Sequence, residues 1–416
     1  MGVPGMSDIH TTELDCGATL VVEPVPNVAS VALSWLLPVG SATDPPEGDG
    51  IPAILSELIF RGAGGLNSRG HSDALDRLGV QRSSGVLTYH LRLGATLLGD
   101  RLSEALGLMT AMVREPALPA DGLEAVRSLC LQSLDSLDDD PQHLVMLCLR
   151  QRHLPAPFNR HGYGCREVLE GCSIEAIREA WTSRCTPVGS IFSAAGAVDP
   201  DSLAGQLDTL LAGWSGEHRE PVEQRPPLRG QAYIKQDTAQ VHIGLGYDAP
   251  READPHSMLE RLAVGVLSGG TSARLFTEVR QKRSLCYSVG ASFHAGRDSG
   301  LVALYVGTTP ERADETLEVC LAEIERLHQG VREEELKRAV AGLKSHLIMR
   351  GESTPARAVA IGHDQFRLGR ARSLDELARE VDAVTIDQLN AYLQSRVFGE
   401  FTVASIGKVE VAVPAR

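Results

Sequence analysis

Arg280 and Tyr287 stand seven residues apart in a segment that also holds a glycine pair and a run of cations. A guanidinium donates paired hydrogen bonds to a peptide carbonyl or a carboxylate. A phenol donates to an oxygen that gains negative charge during attack on a carbonyl. Taken alone, the pair has an ordinary explanation as well. Arg280 would stand at the end of a helix over 272–283, where the helix dipole favours a cation, and Tyr287 would open the next strand. Gly269-Gly270-Thr271-Ser272 precedes that helix. Glycines before a helix can cradle phosphate, but the lysine of a phosphate loop is missing and the spacing differs. A tight turn that lets a helix pack closely is the simpler expectation. Arg274, Arg280, Lys282 and Arg283 form a basic run. It reads equally as a solvated helix face or as a positive wall that would meet acidic peptide groups.

No H-x-x-E-H or H-E-x-x-H occurs in the chain. Those patterns place two histidine ligands and a general base on one helix face. His71, His90, His143 and His363 are dispersed and read as surface or core residues. The eight cysteines, Cys16, Cys130, Cys148, Cys165, Cys172, Cys185, Cys286 and Cys320, include no Cys-x-x-Cys pair. Several sit in apolar helical patterns, which predicts reduced core residues.

The elements that must position Arg280 and Tyr287 follow from patterning. The chain has 416 residues, 43% hydrophobic and 23% charged, enough for two or more domains with large cores. Its net charge of −14 argues against nucleic acid and anionic membranes as partners and favours attraction of basic peptides. No run approaches the roughly 18 apolar residues of a membrane span. The first 20 residues lack a signal-peptide pattern, so a soluble cytoplasmic protein is expected.

The chain also repeats itself. The strand signal at 28–33 returns at 239–244, each time followed by an acidic loop and an apolar helix. Ser84-Gly85 leads to a strand and a helix over 100–112, and Ser299-Gly300 to a strand and a helix over 310–328. Ser173 and Thr385 each cap a helix that ends in a strand, at 190–197 and 400–407. The offset is roughly 210 residues throughout, which signals a duplicated unit. The strand–helix order is not a βαβ alternation, so antiparallel sheets with helices on one face are expected. The proline-rich stretch 213–230 reads as a linker.

The segment Leu267-Ser268-Gly269-Gly270-Thr271-Ser272-Ala273-Arg274-Leu275-Phe276-Thr277-Glu278-Val279-Arg280-Gln281-Lys282-Arg283-Ser284-Leu285-Cys286-Tyr287-Ser288-Val289 resembles the glycine-loop block, "SRLF-EVREKRGL-YSV", of the short M16 peptidases of pitrilysin/insulinase type. Phe60-Arg61-Gly62, Asp138-Asp139-Asp140-Pro141, Tyr163-Gly164 and Gly196-Ala197-Val198-Asp199-Pro200 are similar to that family too. The resemblance implies an α+β fold of two homologous halves, an N-terminal domain 1–217, a linker 218–230 and a C-terminal domain 231–416. Catalytic members close as a clamshell around a chamber. They bind zinc through H-x-x-E-H and a later glutamate, while an arginine and a tyrosine of a second half reach the substrate.

Aligned on Phe60-Arg61-Gly62, the zinc motif falls on Ala53, Ser56 and Glu57. A shifted register that keeps Glu57 as the base puts Ile54 and Leu58 at the ligand positions. The later glutamate falls on Gln132 or Ser133. Neither register gives a ligand pair. The resemblance thus implies a non-catalytic subunit without metal of its own. It would form a heterodimer with a zinc-bearing M16 subunit that cleaves peptides. Arg280 and Tyr287 would act in trans, and Gly269, Gly270 and Thr271 would border the substrate. Alone, the chain could form a homodimer. The alternatives are an inert scaffold, as relatives are in respiratory complexes, and a peptide-binding homologue that does not cut.

Overall fold

The computed structural model describes residues 8–46 and 48–414. The outermost residues of the expected domains, 1–7 and 415–416, lie outside the described residues. In the first half, strands β1 (His10–Glu13), β2 (Thr19–Pro24) and β3 (Ser30–Leu37) lead to helix α1 (Ile51–Leu58). A small hairpin, β4 (Gly62–Ala63) and β5 (Leu66–Asn67), precedes α2 (Ser68–Arg77). Strands β6 (Gln81–Val86) and β7 (Leu91–Leu98) are followed by α3 (Leu102–Arg114), α4 (Leu123–Asp135), α5 (Pro141–His153), α6 (Arg166–Gly171) and α7 (Ile174–Arg184). Strand β8 (Ile191–Gly196) and α8 (Pro200–Leu210) end the half. The second half runs β9 (Gly230–Lys235), β10 (Val241–Ala249), α9 (Ser257–Ser268), β11 (Cys286–Ala295), β12 (Gly300–Thr308) and α10 (Ala313–Glu325). It closes with α11 (Glu333–Gly351), α12 (Thr354–Leu368), α13 (Leu374–Asp382), α14 (Ile386–Ser395) and β13 (Thr402–Gly407).

The duplicated order is that of a two-halved α+β protein. Sheet 1 has the order β1-β2-β8-β3-β7-β6, and sheet 2 the order β11-β12-β10-β13-β9. Both are antiparallel except for one parallel pair each, β2 with β8 and β9 with β13. The caps expected at Ser173 and Thr385 form. Ser173 accepts from the Ala176 amide, and Thr385 makes a full capping box with Gln388. Asp140 caps α5 with Pro141 at its first position. Thr309-Pro310 opens a short 3-10 turn ahead of α10.

The chain divides into two compact units that do not follow sequence order. Unit 1 comprises 1–136, 156–225 and 350–373; unit 2 comprises 137–155, 226–349 and 374–416. In unit 1 the main core fills one face of sheet 1, where Leu33, Trp35 and Leu37 meet Leu55, Leu106 and Ile177. The opposite face receives α12. Ile361 packs with Val21, Leu36 and Ile191, and Ala358 with Ala32 and Ala195. The approach is close because Gly362 has no side chain: a Cβ there would stand 2.6 Å from Ser193 Oγ. Buried Arg357 on α12 donates to buried Glu23 of β2 at 2.7 Å.

Unit 2 repeats the plan. Its main core joins sheet 2 to α9, α10 and α14, with Tyr247, Leu267, Leu317 and Leu389 buried. Its opposite face is covered by α5, where Val145 and Leu149 pack with Leu301, Ala404 and Ile406. Helices α5 and α12 are the equivalent helices of the two halves, so each unit is completed by the helix that belongs, in chain order, to the other half. All eight cysteines are free thiols. Among the described residues no helix is long and apolar enough to cross a membrane.

Candidate functional site

Arg280 and Tyr287 come together through three departures from regular backbone. Helix α9 ends at Ser268, and the Gly269 amide donates to Gly265 O at 2.7 Å. A Cβ on Gly269 would lie 2.3 Å from that same oxygen, so only glycine fits this turn. Gly270 and Thr271 are exposed. The glycines therefore make the tight turn that the sequence suggested. The helix over 272–283 is shorter and looser than expected. Only Arg274 and Leu275 are α-helical, and Phe276–Gln281 forms a π-helix. Such wide turns are rare and concentrate at functional sites.

The chain then reverses through Ser284 at φ 53°, a left-handed conformation that a Cβ disfavours. The Thr308 hydroxyl holds Leu285 O at 2.6 Å, and the Arg312 guanidinium holds Ser284 O. Strand β11 follows. Cys286 pairs with Thr308 and Ser288 with Gly307, which leaves Tyr287 as the extra residue of a β-bulge. A bulge re-aims the side chain it carries. Tyr287 is 77% exposed, and the Arg280 guanidinium lies 4.6 Å from its ring centroid and 4.8 Å from that of Phe276. The cation is thus held between two aromatic faces by cation–π attraction.

Neighbouring charges have other duties. Glu278 accepts from Lys282 and Arg283, each at 2.8 Å, and these bonds hold its carboxyl below the ordinary range. Arg274 is buried and bidentate on Glu335, at 2.9 and 3.1 Å, so it is neither solvated nor a wall cation. Burial pushes Glu335 up, but its bonds from Arg274 and the Arg332 amide outweigh that and bring it down to about 2. A carboxylate depressed on folding stabilises above its unfolded value, and the stabilisation is lost as pH falls through the folded one. Glu335→Gln is therefore expected to flatten the acid limb of the stability profile between about pH 4.5 and 2, measured by thermal melts. Of the four cations in the basic run, Arg280 alone has no carboxylate partner among the described residues.

The left-handed Ser284 stands where the block it resembles carries glycine. Ser284→Gly is expected to stabilise the protein by about 1 kcal/mol. That corresponds to a melting temperature higher by about 2–4 °C. An unchanged or lower melting temperature would count against strain at this position.

The zinc-motif positions offer nothing to a metal. Asp44 accepts from the Gly50 amide at 2.8 Å and thereby caps α1. Within α1, Ala53, Ile54, Leu55 and Leu58 are buried core residues. Ser56 donates to Ala53 O at 2.7 Å, and its own carbonyl accepts from Ser84 at 2.8 Å, so it knits α1 to β6. Glu57 is exposed, as are Gln132 and Ser133 on α4. This donor set does not fit zinc. Among the described residues no group of three His, Cys, Asp or Glu side chains is placed to hold a metal ion. His71 and His90 are core residues, and burial pushes His90 down to about 3.

Comparison with known proteins agrees with this architecture. Residues 19–161 match the model of the insulinase family, peptidase family M16, and residues 171–343 match that of the peptidase M16 inactive domain. The chain belongs to the M16 peptidase family. An uncharacterized zinc protease of Mycobacterium tuberculosis is 27% identical over 93% of this chain and 91% of the relative. One of Bacillus subtilis is 25% identical over 94% and 96%. Among solved structures, a peptidase M16 inactive domain from Pseudomonas fluorescens superposes with a TM-score of 0.86 at 19% identity, covering 98% of this chain and all of that one. A chain in complex III2 from Candida albicans superposes with a TM-score of 0.83 at 18% identity, covering 97% of each.

Proposed function

We propose that this chain is the non-catalytic partner of a zinc-bearing M16 subunit, to which it supplies Arg280 and Tyr287 in trans for peptide cleavage. The observation that carries this reading is the pair of half-buried Arg280 and exposed Tyr287, held between a π-helix and a β-bulge. A free guanidinium over an exposed phenol suits a polar ligand better than a core. The degenerate α1 supports the division of labour: zinc and general base come from the partner, orientation and oxyanion stabilisation from this chain. The peptide lies extended and adds to a sheet edge. Gly269, Gly270 and Thr271 border it.

The test is affinity capture of this chain from its native lysate, followed by zinc and peptidase assays. Recovery of a similar-sized H-x-x-E-H chain, with hydrolysis only by the pair, supports the heterodimer. Recovery of the chain alone or as a self-dimer, with no hydrolysis, removes the peptidase role. The scaffold reading would then gain, since a chain of complex III shares the fold.

A further inference from the structure

We propose that the face of sheet 1 beside α12 is a carboxylate-binding shelf for acidic segments of an extended peptide, with Arg92 as its principal cation. This rests on the reading that the chain takes peptides.

Strand β7 alternates, with Leu91 and Leu93 entering the main core and Arg92 pointing to the other face. The register places Arg92 between Leu36 of β3 and Gly85 of β6. Leu36 is covered by Ile361 of α12, but α12 packs on β3, β8 and β2. The strip formed by β7 and β6 lies beyond that cover. On this face the next residues are Gly94 and its partner Ser83, so the strip is low. Gly85 keeps it low under the arginine: a Cβ there would stand 3.9 Å from Arg92 Nη2. The guanidinium thus extends over Gly85 toward β6, one of the two outer strands of the sheet among the described residues.

Arg92 has no hydrogen bond or ion pair among the described residues, and its Nε is buried without a partner. A guanidinium stays charged, so a half-buried one without a counter-charge is costly. Across the strip, His363 of α12 also has its Nε2 buried without a partner. Both of these nitrogens are closed to solvent, so an incoming carboxylate would meet Arg92 through its Nη atoms, which are not closed off. Burial, together with Arg367, Arg92 and Arg350, pushes His363 down to about 4. The neutral ring adds no charge beside Arg92, which supplies the charge of the shelf. With a net charge of −14, the protein as a whole repels acidic peptides, so this shelf would admit them only through local cations. The outer strand β6 suits an extended chain rather than a small ion.

The test measures fluorescence anisotropy of the full chain with a labelled peptide of alternating Ala and Glu, and with its Ala-Gln counterpart. The Glu peptide is expected to bind about tenfold tighter or more. Arg92→Gln should erase the difference, and Arg92→Lys should keep most of it. Thermal melts confirm that each variant is folded. Equal affinity of the two peptides, or no effect of Arg92→Gln, overturns the carboxylate shelf while peptide binding stands. Binding of neither peptide overturns the shelf and removes its support from the peptide reading. Displacement of the Glu peptide by inorganic phosphate at equal affinity, with the same dependence on Arg92, would make this a general oxyanion site and overturn the peptide assignment.

Discussion

In the proposed pairing with a zinc-bearing subunit, Arg280→Ala and Tyr287→Phe are each expected to lower turnover by about 10²–10³-fold. The reason is geometric. Arg280 sits 4.6 Å from the Tyr287 ring centroid, so both donors reach the same small volume of solvent in front of β11. Arg280→Ala removes a charged, bidentate donor to the substrate backbone, and KM should rise along with the fall in kcat. Tyr287→Phe keeps the ring under the guanidinium and removes only the hydroxyl. Its loss should fall on kcat, because an oxyanion exists only beyond the ground state. Assembly should be unaffected in both variants, which size-exclusion chromatography of the pair checks. Unchanged turnover in both would remove their catalytic role. A loss of assembly instead would make the segment an interface element.

The second large effect is on stability. Arg357→Ala is expected to destabilise unit 1 by about 3–5 kcal/mol, because it removes the buried guanidinium that donates to the buried carboxylate of Glu23. Glu23 is 2% exposed, and the Arg357 Nε reaches it at 2.7 Å. Arg357 Nη2 also donates to Arg372 O at 3.2 Å, so the loop after α12 would loosen as well. The double variant Glu23→Leu, Arg357→Met should recover much of the loss, since an apolar pair of similar volume often replaces a buried ion pair without cost. Urea denaturation of the single and double variants checks both statements. A single variant within about 0.5 kcal/mol of the parent, the range of surface substitutions, would show that the pair is not a determinant of stability.

Much of the fold was legible because duplication leaves paired signals. The strand patterns of each half fell where the structure has them, and Ser173 and Thr385 cap as their side-chain chemistry dictates. The crossover of α5 and α12 was not legible. Val145, Leu149, Ala358 and Ile361 show that these helices bury an apolar stripe, and a stripe does not say which sheet it covers. At the site, the residue types of 269–287 were informative and the backbone was not. A π-turn and a bulge each insert one residue into a regular pattern, and periodicity cannot register a single insertion. Ser284 offered the one available signal, a non-glycine at a position where the block it resembles has glycine. The basic run misled for another reason. The partners of Arg274 and the shared anchor of Lys282 and Arg283 are set by tertiary packing, so a row of cations in sequence became a buried fork and a helix-end cluster.

The exchange of α5 and α12 bears on how the chain is made. Sheet 1 has all its strands once Gly196 has left the ribosome, yet the helix that covers its second face lies at Thr354–Leu368. At roughly 5–20 residues per second, that helix emerges on the order of 10 s later. Through that interval Val21, Leu36 and Ile191 face water or whatever binds them first. The first half therefore gains the cover of its second face only when translation is nearly over.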